Sequence, residues 1–216
     1  MNKEKRIFVD KELRAVKDGD GKRFIEGYGA VFNHESRLIF DWEGEYHETI
    51  ATGAFDRALA SDDLDVLATV NHDNNQILGR FTAGRDNNTL ALSTDDTGLK
   101  YRFEVPNTTL GNDTFESIER GDLNESSFVF RVAQEDQEWD FNSDIPTRTI
   151  NTVSGLYDVS VVWKGAYSNT DVEVAQRHYT DAKAPTKEEI KKAADDIKAT
   201  NDHDDMRVKL LKIKRQ

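Results

Sequence analysis

Short segments with a two-residue alternation of apolar and polar positions dominate the chain, and few stretches carry helical spacing. Residues 6–14 and 23–32 gather β-branched and aromatic side chains on either side of Asp18-Gly19-Asp20-Gly21, which predicts an opening β-hairpin. Between Thr89 and Val105, Leu90 and Leu92 fall two apart and Asp95-Asp96-Thr97-Gly98 supplies a turn. Leu99, Tyr101, Phe103 and Val105 then resume the alternation, so a second hairpin is predicted there. Val66-Leu67-Ala68-Thr69-Val70 is a compact apolar run suited to a buried strand, and it delivers Asn71-His72-Asp73 at its end. Ser126 to Val132 and Leu156 to Trp163 read as two further strands, rich in the residues that pack well on a pleated surface.

Helical signals are weaker. Phe55 and Leu59 fall four apart on one face of a short helix, and Asn112 or Asp113 would cap another that carries Phe115, Ile118 and Glu119 and stops at Gly121. The polar stretch from Gln134 to Thr152 reads as a long surface hairpin or loop. Many short strands with two brief helices predict a mainly β domain, a β-barrel ringed by short helices. Beyond Tyr179 the pattern changes. Lys183-Ala184-Pro185 is linker-like, Thr186 and Glu189 fit a capping box, and Ile190, Ala193, Ala194 and Ile197 follow helical spacing. A second amphipathic piece carries Met206, Leu210 and Ile213. The organisation expected is a barrel domain over 1–180 and a charged helical tail over 181–216.

Composition narrows what such a domain can do. With 216 residues and 37% hydrophobic side chains, one substantial core is within reach. No stretch approaches the roughly 18 consecutive apolar residues of a membrane helix, and Met1 to Arg6 lead into a strand-like segment instead of a signal-peptide core. A soluble protein kept in a cytoplasm, without membrane contact, is expected. The absence of cysteine excludes disulfides, thiolate metal sites and cysteine nucleophiles, so nucleophilic catalysis has to use Ser, Thr, Lys or a carboxylate. The net charge is -12; residues 183–216 hold ten Lys or Arg against seven Asp or Glu, which leaves about -15 on the rest. Such an acidic body is a poor surface for direct nucleic-acid binding.

Of the five histidines, at 34, 47, 72, 178 and 203, His72 stands out because it closes an apolar strand. Alone it reads as a polar residue at a strand end entering a turn. His34, His47 and His203 lie among polar residues and are expected to be solvated. Ser126-Ser127 opens a strand whose alternation turns Ser127, Val129 and Arg131 to one side and Ser126, Phe128 and Phe130 to the other. A serine pair there also suits a turn, and a serine needs a base such as histidine to become nucleophilic near neutral pH. Asp158 breaks an apolar strand, so its carboxylate is either exposed on an edge or buried with a partner.

An ordered series of segments resembles the prohead proteases of tailed bacteriophages. It runs through Gly27-Tyr28-Gly29-Ala30-Val31-Phe32-Asn33, Gly53-Ala54-Phe55, Asn71-His72-Asp73 with Leu78-Gly79-Arg80, and Asp96-Thr97-Gly98-Leu99. It continues in Gly121-Asp122-Leu123, Ser127 to Val132, and Asp158 to Val162 with Ala166-Tyr167, covering roughly residues 6–175. The resemblance implies a fold like that of the herpesvirus assembly proteases and a serine peptidase with catalytic His72, Ser127 and Asp158. Asp158 stands where the family usually has Glu, and Val129 stands where it has a glycine two residues after the nucleophile. Lys164-Gly165 replaces a common Phe-Pro, and 134–152 reads as an insertion. No cofactor or metal is implied. The implied substrate is the phage major capsid protein or its scaffold segment inside the assembling procapsid, in the host cytoplasm, with the chain itself as a further substrate; a homo-oligomer is left open.

In that reading His72 takes the Ser127 proton, Ser127 attacks a peptide carbonyl, and Asp158 stabilises the imidazolium. Arg80, Arg131 or backbone N–H groups would serve the oxyanion. The rival reading is a catalytically silent virion or scaffold protein that keeps the fold, for which Val129 and the helical tail speak. A metal hydrolase built on His72-Asp73 lacks ligand spacing.

Overall fold

The computed structural model describes residues 3–8, 13–41 and 44–162. The tail expected to be helical lies outside them, as do His178, His203 and the Ala166-Tyr167 segment. Three sheets make up the described part. The first is five-stranded and mixed, in the order β1 (Glu4–Phe8), β10 (Glu125–Arg131), β13 (Gly155–Val162), β6 (Asp65–Val70) and β7 (Ile77–Thr82). All its neighbours are antiparallel except β13 and β6, which run parallel. The second sheet, β2 (Arg14–Lys17), β3 (Arg23–Val31), β9 (Gly98–Glu104) and β8 (Leu90–Thr94), is wholly antiparallel. The third joins β11 (Gln137–Asp140), β12 (Thr147–Ile150), β5 (Gly44–Ile50) and β4 (Ile39–Asp41).

The hairpin expected over Thr89–Val105 is present as β8 and β9 with the Asp95 turn between them. The opening hairpin is present only in its second half. β2 pairs with β3, but the segment before it belongs to another sheet, where β1 pairs with β10. The described strands also do not close into the expected barrel. Between β7 and β8 the structure records Thr89 N–H on the Arg80 carbonyl at 3.0 Å and Arg80 N–H on Thr89 Oγ1 at 2.9 Å, and no ladder continues from them. Among the described residues the helices α1 (Asp56–Leu59) and α2 (Thr109–Glu119) are too few to form a ring. Thr108, not Asn112 or Asp113, caps α2 by accepting from Gly111 N–H at 3.1 Å, and Gly121 follows the helix with φ +81° as expected of a stop. The 134–152 stretch does form a hairpin, β11–β12, yet it is not a surface appendage. β12 pairs parallel with β5, and Ile150 and Arg148 are buried.

The first and second sheets meet over a core that includes Phe128, Phe130, Val159, Leu99 and Tyr101. Phe128 packs edge-on to Phe55 at 5.6 Å and stacks on Phe130 at 4.6 Å. Gly29 interrupts the β3–β9 register between Tyr28 and Ala30, and a Cβ built there would lie 3.3 Å from Val159 and 3.5 Å from Leu99. The glycine therefore lets β3 approach the first sheet closely. Because neighbours across a sheet share a face, the row Phe128, Val159, Ala68 points into this core. The next row, Ser127, Ser160, Thr69, points to the other face. One face of β10–β13–β6 is thus committed to apolar packing, and the other carries buried polar side chains.

Candidate active site

Each strand of that trio contributes to the site. β10 holds Ser127, β13 holds Asp158 and Ser160, and β6 holds Thr69 and hands over His72 in the turn after Val70. Asn71 and His72 both adopt left-handed backbone angles, φ 52° and 59°. Asparagine tolerates this region and histidine adopts it at a cost of about 1 kcal/mol or more. The turn is held from several sides. Asn71 N–H donates to the Val161 carbonyl at 3.1 Å, His72 N–H to Ser160 Oγ at 3.0 Å, and Asp73 N–H to the Val70 carbonyl at 3.0 Å. Asp73 accepts from Asn75 N–H at 2.8 Å and from the Gln76 amide at 3.1 Å, bonds that hold its carboxyl below the usual carboxylate range. Asp73 is thus a turn-building residue. The left-handed pair folds the chain back so that the imidazole lies over the polar row.

There the three expected residues meet. Asp158 Oδ1 lies 2.6 Å from His72 Nδ1, and His72 Nε2 lies 2.6 Å from Ser127 Oγ. A carboxylate only accepts, so the imidazole tautomer that fits carries its hydrogen on Nδ1 and leaves Nε2 as acceptor toward the hydroxyl. Asp158 is not on an edge. It sits on β13 between β10 and β6, is 6% exposed, and receives a second bond from the Thr69 hydroxyl to Oδ2 at 2.7 Å. Ser126, the alternative nucleophile, faces the core and shares a 2.7 Å hydrogen bond with Tyr101. His34 is exposed, whereas His47, expected to be solvated, is half-buried with Nδ1 on the Ser36 carbonyl.

Thr69 and Ser160 were not singled out from the sequence. Ser160 accepts from His72 N–H and donates to the Thr69 carbonyl at 3.0 Å. It therefore ties the histidine turn to two strands, while Thr69 fixes the carboxylate that orients the ring. The available signal was period two: Asp158 and Ser160 are two apart on one strand and share a face. Arg80 is engaged by Asp65 at 2.8 and 2.5 Å, and Arg131 Nε reaches Ser154 Oγ at 3.4 Å. A cleft of about 710 Å³ opens beside the site, with His72, Val129, Arg131, Leu156, Tyr157 and Asp158 on its walls. Val129 pairs with Asp158 and lies at a register break before Phe130. A valine in place of glycine leaves the Ser127–His72 contact at hydrogen-bond length.

A hydroxyl, an imidazole and a buried carboxylate joined in that order define the arrangement of serine hydrolases. The sequence narrows the class. Residues 10–185 match the family described as caudovirus prohead serine protease, and the chain belongs to that family. Membership implies a serine peptidase of phage capsid maturation. No curated protein and no solved structure matches the chain. Among the described residues no helix is long and apolar enough to cross a membrane.

Proposed function

We propose that the protein is a serine endopeptidase that cuts capsid or scaffold segments during procapsid maturation, with Ser127 as nucleophile, His72 as general base and Asp158 as the group that orients it. The observation that carries this reading is the continuous Asp158–His72–Ser127 line, with 2.6 Å at both contacts. Ser127 Oγ adds to the scissile carbonyl carbon as its proton passes to His72 Nε2. The imidazolium is stabilised by Asp158 and returns that proton to the leaving amine, which releases an acyl-enzyme. Water, deprotonated by His72, then displaces Ser127 and yields the carboxylate product. Thr69 and Ser160 keep the carboxylate and the histidine turn in place through both half-reactions.

This line also favours an active peptidase over a silent assembly protein, since Val129 leaves it intact. Co-expression with the phage capsid protein tests the reading. Shortened capsid protein is expected with the wild-type chain and not with Ser127→Ala. Full-length capsid protein in both, or shortening in both, removes the proposal.

A further inference from the structure

The first strand lies along the nucleophile. β1 runs antiparallel to β10 with Lys5 opposite Val129 and Ile7 opposite Ser127, and Ser127 is 0% exposed. The Arg6 carbonyl oxygen lies 2.6 Å from Ser127 Oγ. Toward the other end of the strand, Lys3 Nζ sits 3.8 Å over the Tyr157 ring and lines the cleft that His72 and Asp158 also line. A hydroxyl has one proton. While it is donated to the Arg6 carbonyl it is not donated to His72 Nε2, so general-base activation is interrupted as well as access. Nor is the Arg6 carbonyl placed as a substrate. Its oxygen is turned to Oγ, whereas attack needs the carbon presented to the nucleophile and the oxygen held elsewhere.

The strand is held by charge as well as by its ladder. Arg6 donates to Glu48 at 2.8 and 2.9 Å, to Glu4 at 2.8 Å and to Tyr46 at 3.0 Å. Arg148 donates to Glu4 at 2.5 and 2.9 Å and to Glu48 at 3.0 Å. These bonds fasten β1 to β5 and β12 of the third sheet. Burial alone would lower Arg6 and raise Glu4; the paired charges reverse both, so Arg6 is raised and Glu4 lowered.

We propose that β1 is a detachable strap that occupies the substrate's place, and that peptide substrates add to β10 as an antiparallel strand once it leaves. Main-chain pairing to a sheet edge is a general means of gripping an extended peptide, and β10 presents such an edge only when β1 is absent. The proposal rests on Ser127 being the nucleophile.

The test follows the rate at which a fluorophosphonate probe labels Ser127 in the full chain. Glu4→Gln and Arg6→Lys each weaken the strap while Glu48 still pairs Arg148, and near-UV circular dichroism checks that both fold. Both variants are expected to label at least about ten-fold faster than wild type. A synthetic peptide of the sequence Glu4–Phe8 is expected to slow them again, and adding His72→Ala to Glu4→Gln abolishes labelling. Equal rates in wild type and both folded variants overturn the strap and leave the peptidase reading standing. Acceleration that the peptide does not reverse overturns the claim that β1 holds the substrate's place. No labelling of Ser127 in any form defeats the nucleophile assignment itself, and the strap with it.

Discussion

The face of β10–β13–β6 that carries Ser127, Ser160 and Thr69 and the ionic cluster beneath β1 both bury polar groups, but by opposite means. On the Ser127 face the partners are hydroxyls, one imidazole and one carboxylate, supplied by adjacent strands in fixed register and by the turn after β6. Beneath β1 the partners are two arginines and two glutamates from β1, β5 and β12, and the Arg6–Glu48 and Arg148–Glu4 bonds cross between sheets. Contacts among the three inner strands last as long as the sheet does. Contacts that depend on charge pairs reaching across to an end strand can be released while the rest of the fold stays, because the strand contributes no turn or crossover to the catalytic face. A fixed site beside a releasable cover is what the contrast teaches.

The largest effect should come from Ser127→Ala, which removes the proposed nucleophile. Cleavage of capsid protein by a strap-weakened variant is expected to fall about 10⁶-fold, with unfolding midpoints close to the parent's. Asp158→Asn keeps the shape of the catalytic face but favours the wrong imidazole tautomer, so kcat should drop about 10⁴-fold while the thermal midpoint moves little. The apolar side of the same strands is broken by Phe128→Ala. It removes a fully buried ring packed on Phe55 and Phe130 and should lower unfolding free energy by about 3–5 kcal/mol in denaturant titrations. Thr69→Val leaves one Asp158 oxygen without its hydroxyl donor. A loss of about 1–2 kcal/mol, read as a roughly ten-fold fall in kcat with KM unchanged, is expected.

The smallest effect concerns pH and belongs to the cover. The Arg148 and Arg6 charges hold Glu4 below its ordinary 4.5, against the opposing pull of burial. A carboxyl lowered in the folded state contributes stability that is complete above 4.5 and drains away as pH falls through the folded value. Below that point β1 should loosen, and Glu4→Gln should flatten the fall of unfolding free energy with acid. Asp65, Asp73 and Asp95 are lowered too and give the residual slope of the same sign. A variant slope equal to wild type would show that the cluster does not hold the strand.

Much of the candidate site was legible in the sequence, and the strand that covers it was not. His72, Ser127 and Asp158 each had a bland reading alone; the ordered resemblance across the chain joined them, and the strands deliver them as expected. Thr69 looked like part of an apolar run because a threonine resembles valine in a strand pattern. β1 was misassigned to a local hairpin because its alternation is the same whether it pairs with β3 or with β10, and nothing local specifies a partner over a hundred residues away. The barrel failed for a related reason. Alternation shows that a strand has two faces, but closure depends on whether β7 and β8 continue their pairing, and two hydrogen bonds at Arg80 and Thr89 do not extend into a ladder.

The most direct measurement is peptide mapping, by mass spectrometry, of the strap-weakened chain after reaction with a fluorophosphonate. A single adduct on Ser127 that disappears with His72→Ala is the expected result. An adduct on Ser126, or one on Ser127 that survives the loss of His72, would contradict the account.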